Sequence, residues 1–200
     1  MKPSDILSGE HRVIEQVLNC LEKLAEQAAA SGRVDEQSAQ EAIDFFRNFA
    51  DRCHHGKEET HFFPAMEARG FSRDCGPTGV MLYEHEEGRR LVGGMAEAVA
   101  AAACDDSGAA ARFAQHARQY IDLLREHIQK EDHCLFTMAD QAFTEADQQH
   151  LLEAFDKVEH EHIGAGVHER YLELANTLAR RLGVPLATQP AEGHPSCCGH

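Results

Sequence analysis

Two stretches of this chain carry imidazole and carboxylate groups at a spacing suited to metal chemistry. The first is Cys53-His54-His55-Gly56-Lys57-Glu58-Glu59-Thr60-His61-Phe62-Phe63-Pro64. The second is His127-Ile128-Gln129-Lys130-Glu131-Asp132-His133-Cys134-Leu135-Phe136. In each, a histidine precedes a glutamate by four positions, His54 with Glu58 and His127 with Glu131. Residues four apart lie one turn apart on the same helix face. Two such pairs on facing helices can meet across a core. Carboxylates from opposing helices can each bridge two cations, with histidines filling the outer positions. Imidazole with carboxylate favours iron, manganese or zinc over calcium or magnesium.

The bare spacing is weak by itself, because histidine and glutamate are both frequent here. It occurs four times: His11/Glu15, His54/Glu58, His55/Glu59 and His127/Glu131. For His55/Glu59 the expected role is a surface contact on a helix. His54, Glu58, His85, His127 and Glu131 instead fall in the apolar rows of their helices. Burying that many ionisable groups without partners would cost several kcal/mol, and a shared cation removes the cost.

The elements that position these groups read as helices throughout. Ile6, Leu7, Ile14, Leu18, Leu21 and Leu24 recur at helical spacing, with His11 in the same row and Ser4 or Ser8 as a cap. Ser31-Gly32-Arg33 ends that helix. A second runs from about Asp35 to Arg69, with a kink or tightened last turn expected at Pro64. Residues 70–79 read as a loop. A third helix spans about Val80 to Cys104 and a fourth about Ala109 to Ala139. Thr144 with Asp147 resembles a capping box that opens a fifth, reaching about Leu182 and weakened by Gly164 and Gly166. No alternating strand pattern occurs. The expectation is an all-α protein: an up-down-up-down four-helix bundle over residues 1–142, an additional C-terminal helix over 143–183 packed on it, and a flexible Cys/His-containing tail over 184–200. Glu10-His11 and Glu84-His85 each precede a helix bearing His-x-x-x-Glu, a weak internal repeat that suggests a pseudo-twofold.

Composition narrows the function. With 34 acidic against 19 basic residues the net charge is −15, which argues against nucleic acid or anionic membrane as partner. No apolar run reaches transmembrane length, and residues 1–10 lack a signal peptide's apolar block, so a cytoplasmic location is expected. Seven cysteines without framework spacing read as thiols.

Four segments, taken in order, carry a resemblance. They are Glu10-His11-x-x-Ile14, Cys53-His54-His55-x-x-Glu58-Glu59 followed by Phe63-Pro64, Glu84-His85-x-x-Gly88-Arg89, and His127-Ile128-x-x-Glu131-Asp132 followed by Leu135-Phe136. Together they resemble the hemerythrin-like (HHE, cation-binding) family over about residues 4–140. The resemblance implies a centre of two non-haem iron ions, oxo- or hydroxo-bridged. It makes His11, His54, His85 and His127 terminal ligands and Glu58 and Glu131 the bridges. It also implies a small-molecule ligand: O2, NO or peroxide. Ferritin-type bundles use Glu-x-x-His instead. One departure stands out. Oxygen-carrying members have a fifth histidine one turn after the third-helix ligand, where this chain has Arg89. Fewer histidines and more open positions are therefore expected, with Glu15 as a candidate extra carboxylate ligand. The alternatives are an enzyme removing peroxide or NO, an iron- or oxygen-sensing module, and a zinc protein without redox chemistry.

Other residues are read more plainly. Cys53 and Cys134 are expected to pack as small apolar groups. His61 and His133 suit either a supporting or a surface position. Tyr120 is expected to pack in the core, near enough to line the site. His160, His162 and His168 are not expected to reach the metals. The His194–His200 cluster, with Cys197 and Cys198, could bind a soft metal but reads first as tail.

Overall fold

In a computed structural model, residues 1–74, 76–159 and 166–187 are described. Six helices account for their regular structure, and no strand occurs among them. They are α1 Pro3–Ser31, α2 over residues 36–68, α3 Pro77–Ala102, α4 over residues 109–142, α5 Glu145–Lys157 and α6 Val167–Leu182. Helix α1 packs on α2, α2 on α3, α3 on α4, and α4 back on α1. Helix α6 lies against α1 and α2, and α5 against α1 and the Glu58–Phe62 turn of α2.

Local chemistry explains the boundaries. Pro3 and Pro77 occupy the first turns of α1 and α3, where a missing N–H costs nothing. Ser4 and Ser8 do not cap α1, as the sequence suggests; they lie inside it and donate to Asp140 and Asp132 across to α4. Gly32 ends α1 in the left-handed conformation, with φ 69°. The Asp35 carboxylate caps α2 by accepting from the Ser38 amide. The Thr144/Asp147 capping box forms as expected. The single fifth helix expected to Leu182 is two, α5 and α6, and α6 starts after Gly166 at φ 78°. His160, His162, Cys75, Cys197 and Cys198 lie outside the described residues. The four cysteines described, Cys20, Cys53, Cys104 and Cys134, are free thiols.

Two helices are irregular where the chemistry is dense. Helix α2 widens to π geometry over Phe46–His55 and again over Glu58–Phe62, and α4 does so over Glu131–Leu135. Such widening is rare and clusters at functional sites. The second π segment of α2 lies directly before Phe63–Ala68, with Pro64 in that segment's first turn. The expected kink at Pro64 thus takes the form of a widened turn ahead of it.

Apolar side chains form two clusters. One holds Ile14, Leu18, Phe45, Phe46, Phe49, Val92, Met95, Phe113, Leu124 and the buried face of α6. The other holds Leu7, Phe62, Phe63, Met66, Met81, Leu135, Phe136, Phe143, Leu151 and Phe155. On each of the four long helices the histidines and glutamates stand between the two. His11 lies between Leu7 and Ile14, and Glu131 between Ile128 and Leu135.

Candidate metal centre

The polar layer between those clusters is almost sealed. His11, His54, His85 and His127 are each 1% exposed, and Glu58 and Glu131 are fully buried. The Nε2 atoms of His11 and His54 lie 3.0 Å apart, and those of His85 and His127 3.2 Å apart. Two histidine pairs thus face each other, and the glutamates lie between them. Glu58 sets Oε1 3.6 Å from His54 and Oε2 3.5 Å from His85. Glu131 Oε2 is 3.3 Å from both His11 and His127. Each carboxylate therefore reaches a histidine from either pair. None of the four glutamate oxygens accepts a hydrogen bond, although all are buried. Buried polar atoms are rarely left so, and a cation is a partner that suits them.

A fifth histidine belongs to this layer. His55, expected at the surface, is buried at 4% exposure, and its ring stacks on His85 with centroids 3.8 Å apart. Its Nε2 is buried without a hydrogen bond. His55, Glu58, His85 and His127 form one group whose donor atoms could hold an ion. His11, His54, Glu58 and Glu131 form the other. Beside the four expected histidines, α2 thus brings an additional one to the layer. The π widening is the reason. At 3.6 residues per turn adjacent residues point 100° apart, so His54 inward sets His55 toward the side; a wider turn brings them closer in direction.

Each of the five rings is oriented by a carboxylate at Nδ1. His11 donates to Asp132 at 2.9 Å, His54 to Glu10 at 2.9 Å, His85 to Glu59 at 2.7 Å and His127 to Glu84 at 3.0 Å. His55 pairs with Asp51 at 3.3 Å. A proton held at Nδ1 leaves the Nε2 lone pair free, the arrangement that metal-ligating histidines generally show. The first four bonds run α1 to α4, α4 to α3, α3 to α2 and α2 to α1, a closed ring.

Electrostatics follow from burial. Burial and the neighbouring Glu131 charge push the Glu58 carboxyl well up. Burial acts on Glu131 too, but His127 and His11 outweigh it and hold that carboxyl well below its usual range. Burial lowers His54 to about 4 and takes His55 well down. Burial also works against charge on His127, but Glu131 and Glu84 raise it to about 9. The two glutamates are thus driven in opposite directions, and the rings of His54 and His55 toward the neutral form.

Lys57 is fully buried one turn from His54. It donates to Glu10, to Glu159 at 2.5 Å, and lies 5.8 Å over the Phe155 ring. Lys130 makes the related bond to Glu84 at the surface. No sequence signal marked either lysine. Arg89 donates to Asp51, Glu59 and Glu86, so it braces the carboxylates behind His55 and His85.

Other expected candidates fall elsewhere. Glu15, the candidate extra ligand, turns to the surface and pairs with Arg125 at 3.6 Å. An unwidened turn after His11 carries its side chain out of the layer. His133 is exposed and donates to the Gln129 carbonyl, and Cys134 is exposed beside Met138. Cys53 is buried, and burial pushes its thiol up to about 12, as an inert packing group would show. His168 stands near Glu10 and Cys53, outside both histidine groups. Tyr120 packs on Phe46 and lines a cavity that abuts His55 and His85.

Among the described residues, no helix is long and apolar enough to cross a membrane. No solved structure matches the chain. Two uncharacterized proteins, one of Mycobacterium tuberculosis and one of Mycobacterium bovis, are each 25% identical to it over 182 residues, covering 91% of this chain and 70% of theirs. The family description "Hemerythrin HHE cation binding domain" matches residues 2–139, which contain all five histidines, both glutamates and every carboxylate bonded to a ring. By that match, the chain belongs to the hemerythrin HHE cation-binding domain family.

Proposed function

We propose that this protein holds two iron ions in the buried layer and through them binds a small ligand: O2, NO or peroxide. The observation that carries this reading is the pair of buried, unbonded carboxylates that each reach histidines of both groups. Glu58 and Glu131 would bridge the ions, with an oxo or hydroxo group between them. His11 and His54 would complete one shell, and His55, His85 and His127 the other. Seven donors suit a borderline transition metal, and carboxylate bridges suit iron. The iron pair would supply exchangeable coordination positions and redox equivalents.

The residues around it do the rest. Asp132, Glu10, Asp51, Glu59 and Glu84 hold the five rings by Nδ1. Phe62, Phe63, Phe136 and Leu7 keep water from one side. The ring of contacts among the four long helices supports the up-down-up-down bundle over residues 1–142, with α5 and α6 as an addition. The excess of acidic residues fits a cytoplasmic protein without nucleic-acid or anionic-membrane partner.

The test is metal content with optical spectra of the protein as isolated, after anaerobic reduction, and after return to air. About two irons per chain with near-ultraviolet bridge bands is the expected result. A band that persists on oxygenation favours carriage or sensing. Immediate return to the oxidised spectrum favours an enzyme that removes peroxide or NO. Colourless protein with stoichiometric zinc would overturn the iron reading.

A further inference from the structure

A cavity of about 180 Å³ opens beside the three-histidine group. His55 and His85 form its inner wall, and Phe46, Val92, Leu124 and Tyr120 its apolar sides. It exists because of small residues on α3. Gly88 stands three residues after His85, and a Cβ there would already touch the Tyr120 ring at 3.4 Å. Gly93 also lines the space, and a Cβ there would meet nothing within 4 Å. The matching place on α1, three residues after His11, is Ile14, buried in the core. The two-histidine side is closed further by Phe136, which stacks on His11 at 5.6 Å.

The volume exceeds what a diatomic ligand needs. Apolar cavities of about 150 Å³ accept benzene. Charge narrows the class of occupant. Arg89 is already bonded by Asp51, Glu59 and Glu86. Asp51 and Glu84 face the same space, and Glu84 is held by His127 and Lys130. Arg47 is exposed at the rim. An anion entering would meet carboxylates with no uncommitted cation inside.

We propose that this cavity is a binding site for a small neutral organic molecule, up to about the size of a substituted phenol, which meets the metal centre through the His55 and His85 rings. Three histidines and two bridging carboxylates nearly fill the shell on this side. The occupant therefore biases the centre by pressing on His55 rather than reacting as its substrate. That link rests on the two-metal reading; the binding itself does not.

The test uses the full chain in metal-free and iron-loaded forms, with para-fluorophenol as probe, followed by fluorine NMR. Saturable binding is expected in both forms. Imidazole nitrogen shifts should move at His55 and His85 and stay fixed at His11 and His54. Gly93→Leu fills open space and raises helix propensity, so it should fold normally and bind the probe at least tenfold more weakly. Val92→Phe, from the buried wall, should do the same. No saturable binding, binding by both variants as tight as by the unaltered chain, ring shifts confined to His11 and His54, or tighter binding of para-fluorobenzoate would each overturn the proposal. Iron content, measured in parallel, reports separately on the two-metal reading.

Discussion

The two halves of the polar layer are built to one plan and depart from it at three places. His11 corresponds to His85, His54 to His127, Glu10 to Glu84, Glu58 to Glu131, Glu59 to Asp132 and Lys57 to Lys130, and the bonds among them correspond as well. The departures are His55 where the other half has Ile128, Gly88 where it has Ile14, and a buried Lys57 tied to Glu159 where it has an exposed Lys130. The matched histidines, with Glu58 and Glu131, face the layer, and the matched Glu10, Glu84, Glu59 and Asp132 hold the rings from behind. Of the parts that differ, His55 adds a ring to the layer, Gly88 borders the cavity, and Lys57 faces the C-terminal helices. Metal binding is thus carried by the duplicated plan. Access and attachment are carried by what each half adds.

The comparison can be broken most severely at the shared glutamates. Glu131→Ala removes a group that both halves use, so iron should fall from about two per chain to one or none by metal analysis. Retention of two would sink the bridging role. At the next level the lysines should separate sharply. Lys57→Met strands Glu10 and Glu159 without their cation, and breaking such a buried pair costs about 3–5 kcal/mol. Lys130→Met removes an exposed pair and should cost less than about 1 kcal/mol. Equal losses in urea melts would mean that burial does not distinguish the halves.

Glu10 gives a pH-dependent version of the same contrast. Burial raises its pKa, but Lys57 and His54 outweigh this and bring it to about 2, below the ordinary 4.5. A carboxyl depressed in the folded state stabilises above its unfolded pKa, and that stability is lost as pH falls. The metal-free protein should lose about 3 kcal/mol between pH 4.5 and 2 through this group. Glu10→Gln should flatten that part of the profile, and an unchanged slope would exclude Glu10 as its source. The smallest effect belongs to the added histidine. Asp51→Asn weakens the hold on His55 and one of the bonds to Arg89, and loss of such a supporting carboxylate costs roughly 10–100-fold in metal affinity. Competition with a chelator should show the weakening, and no change would place His55 outside the shell.

The repeating apolar rows made much of this legible beforehand. A period of 3.6 residues aligns His11 with Leu7, Ile14 and Leu18, and it carries Glu58 and Glu131 inward with their histidines. The same period misplaces His55, because the chain does not keep that period there; α2 is π-helical through His55. It misplaces Glu15 for the converse reason, since α1 stays regular and points that carboxylate at Arg125. Glu10, Glu59, Glu84 and Asp132 looked like ordinary polar neighbours of the histidines and glutamates. Their partners lie on the next helix, and nothing local announces that. One trace was available: each stands immediately beside a residue of the layer. A carboxylate one step round the helix from an inward group faces the adjoining helix.

The closed ring of histidine–carboxylate bonds has a consequence for synthesis. Its corners lie on four helices, and the last, Asp132, comes late in the bundle. Until that residue has emerged, His11 lacks its partner and Glu131 is absent from the layer. A nascent chain carrying only α1 and α2 holds two histidines and one carboxylate of the first group, and no group is complete. Neither donor group is complete before the bundle closes, so ions held there would enter an already assembled chain.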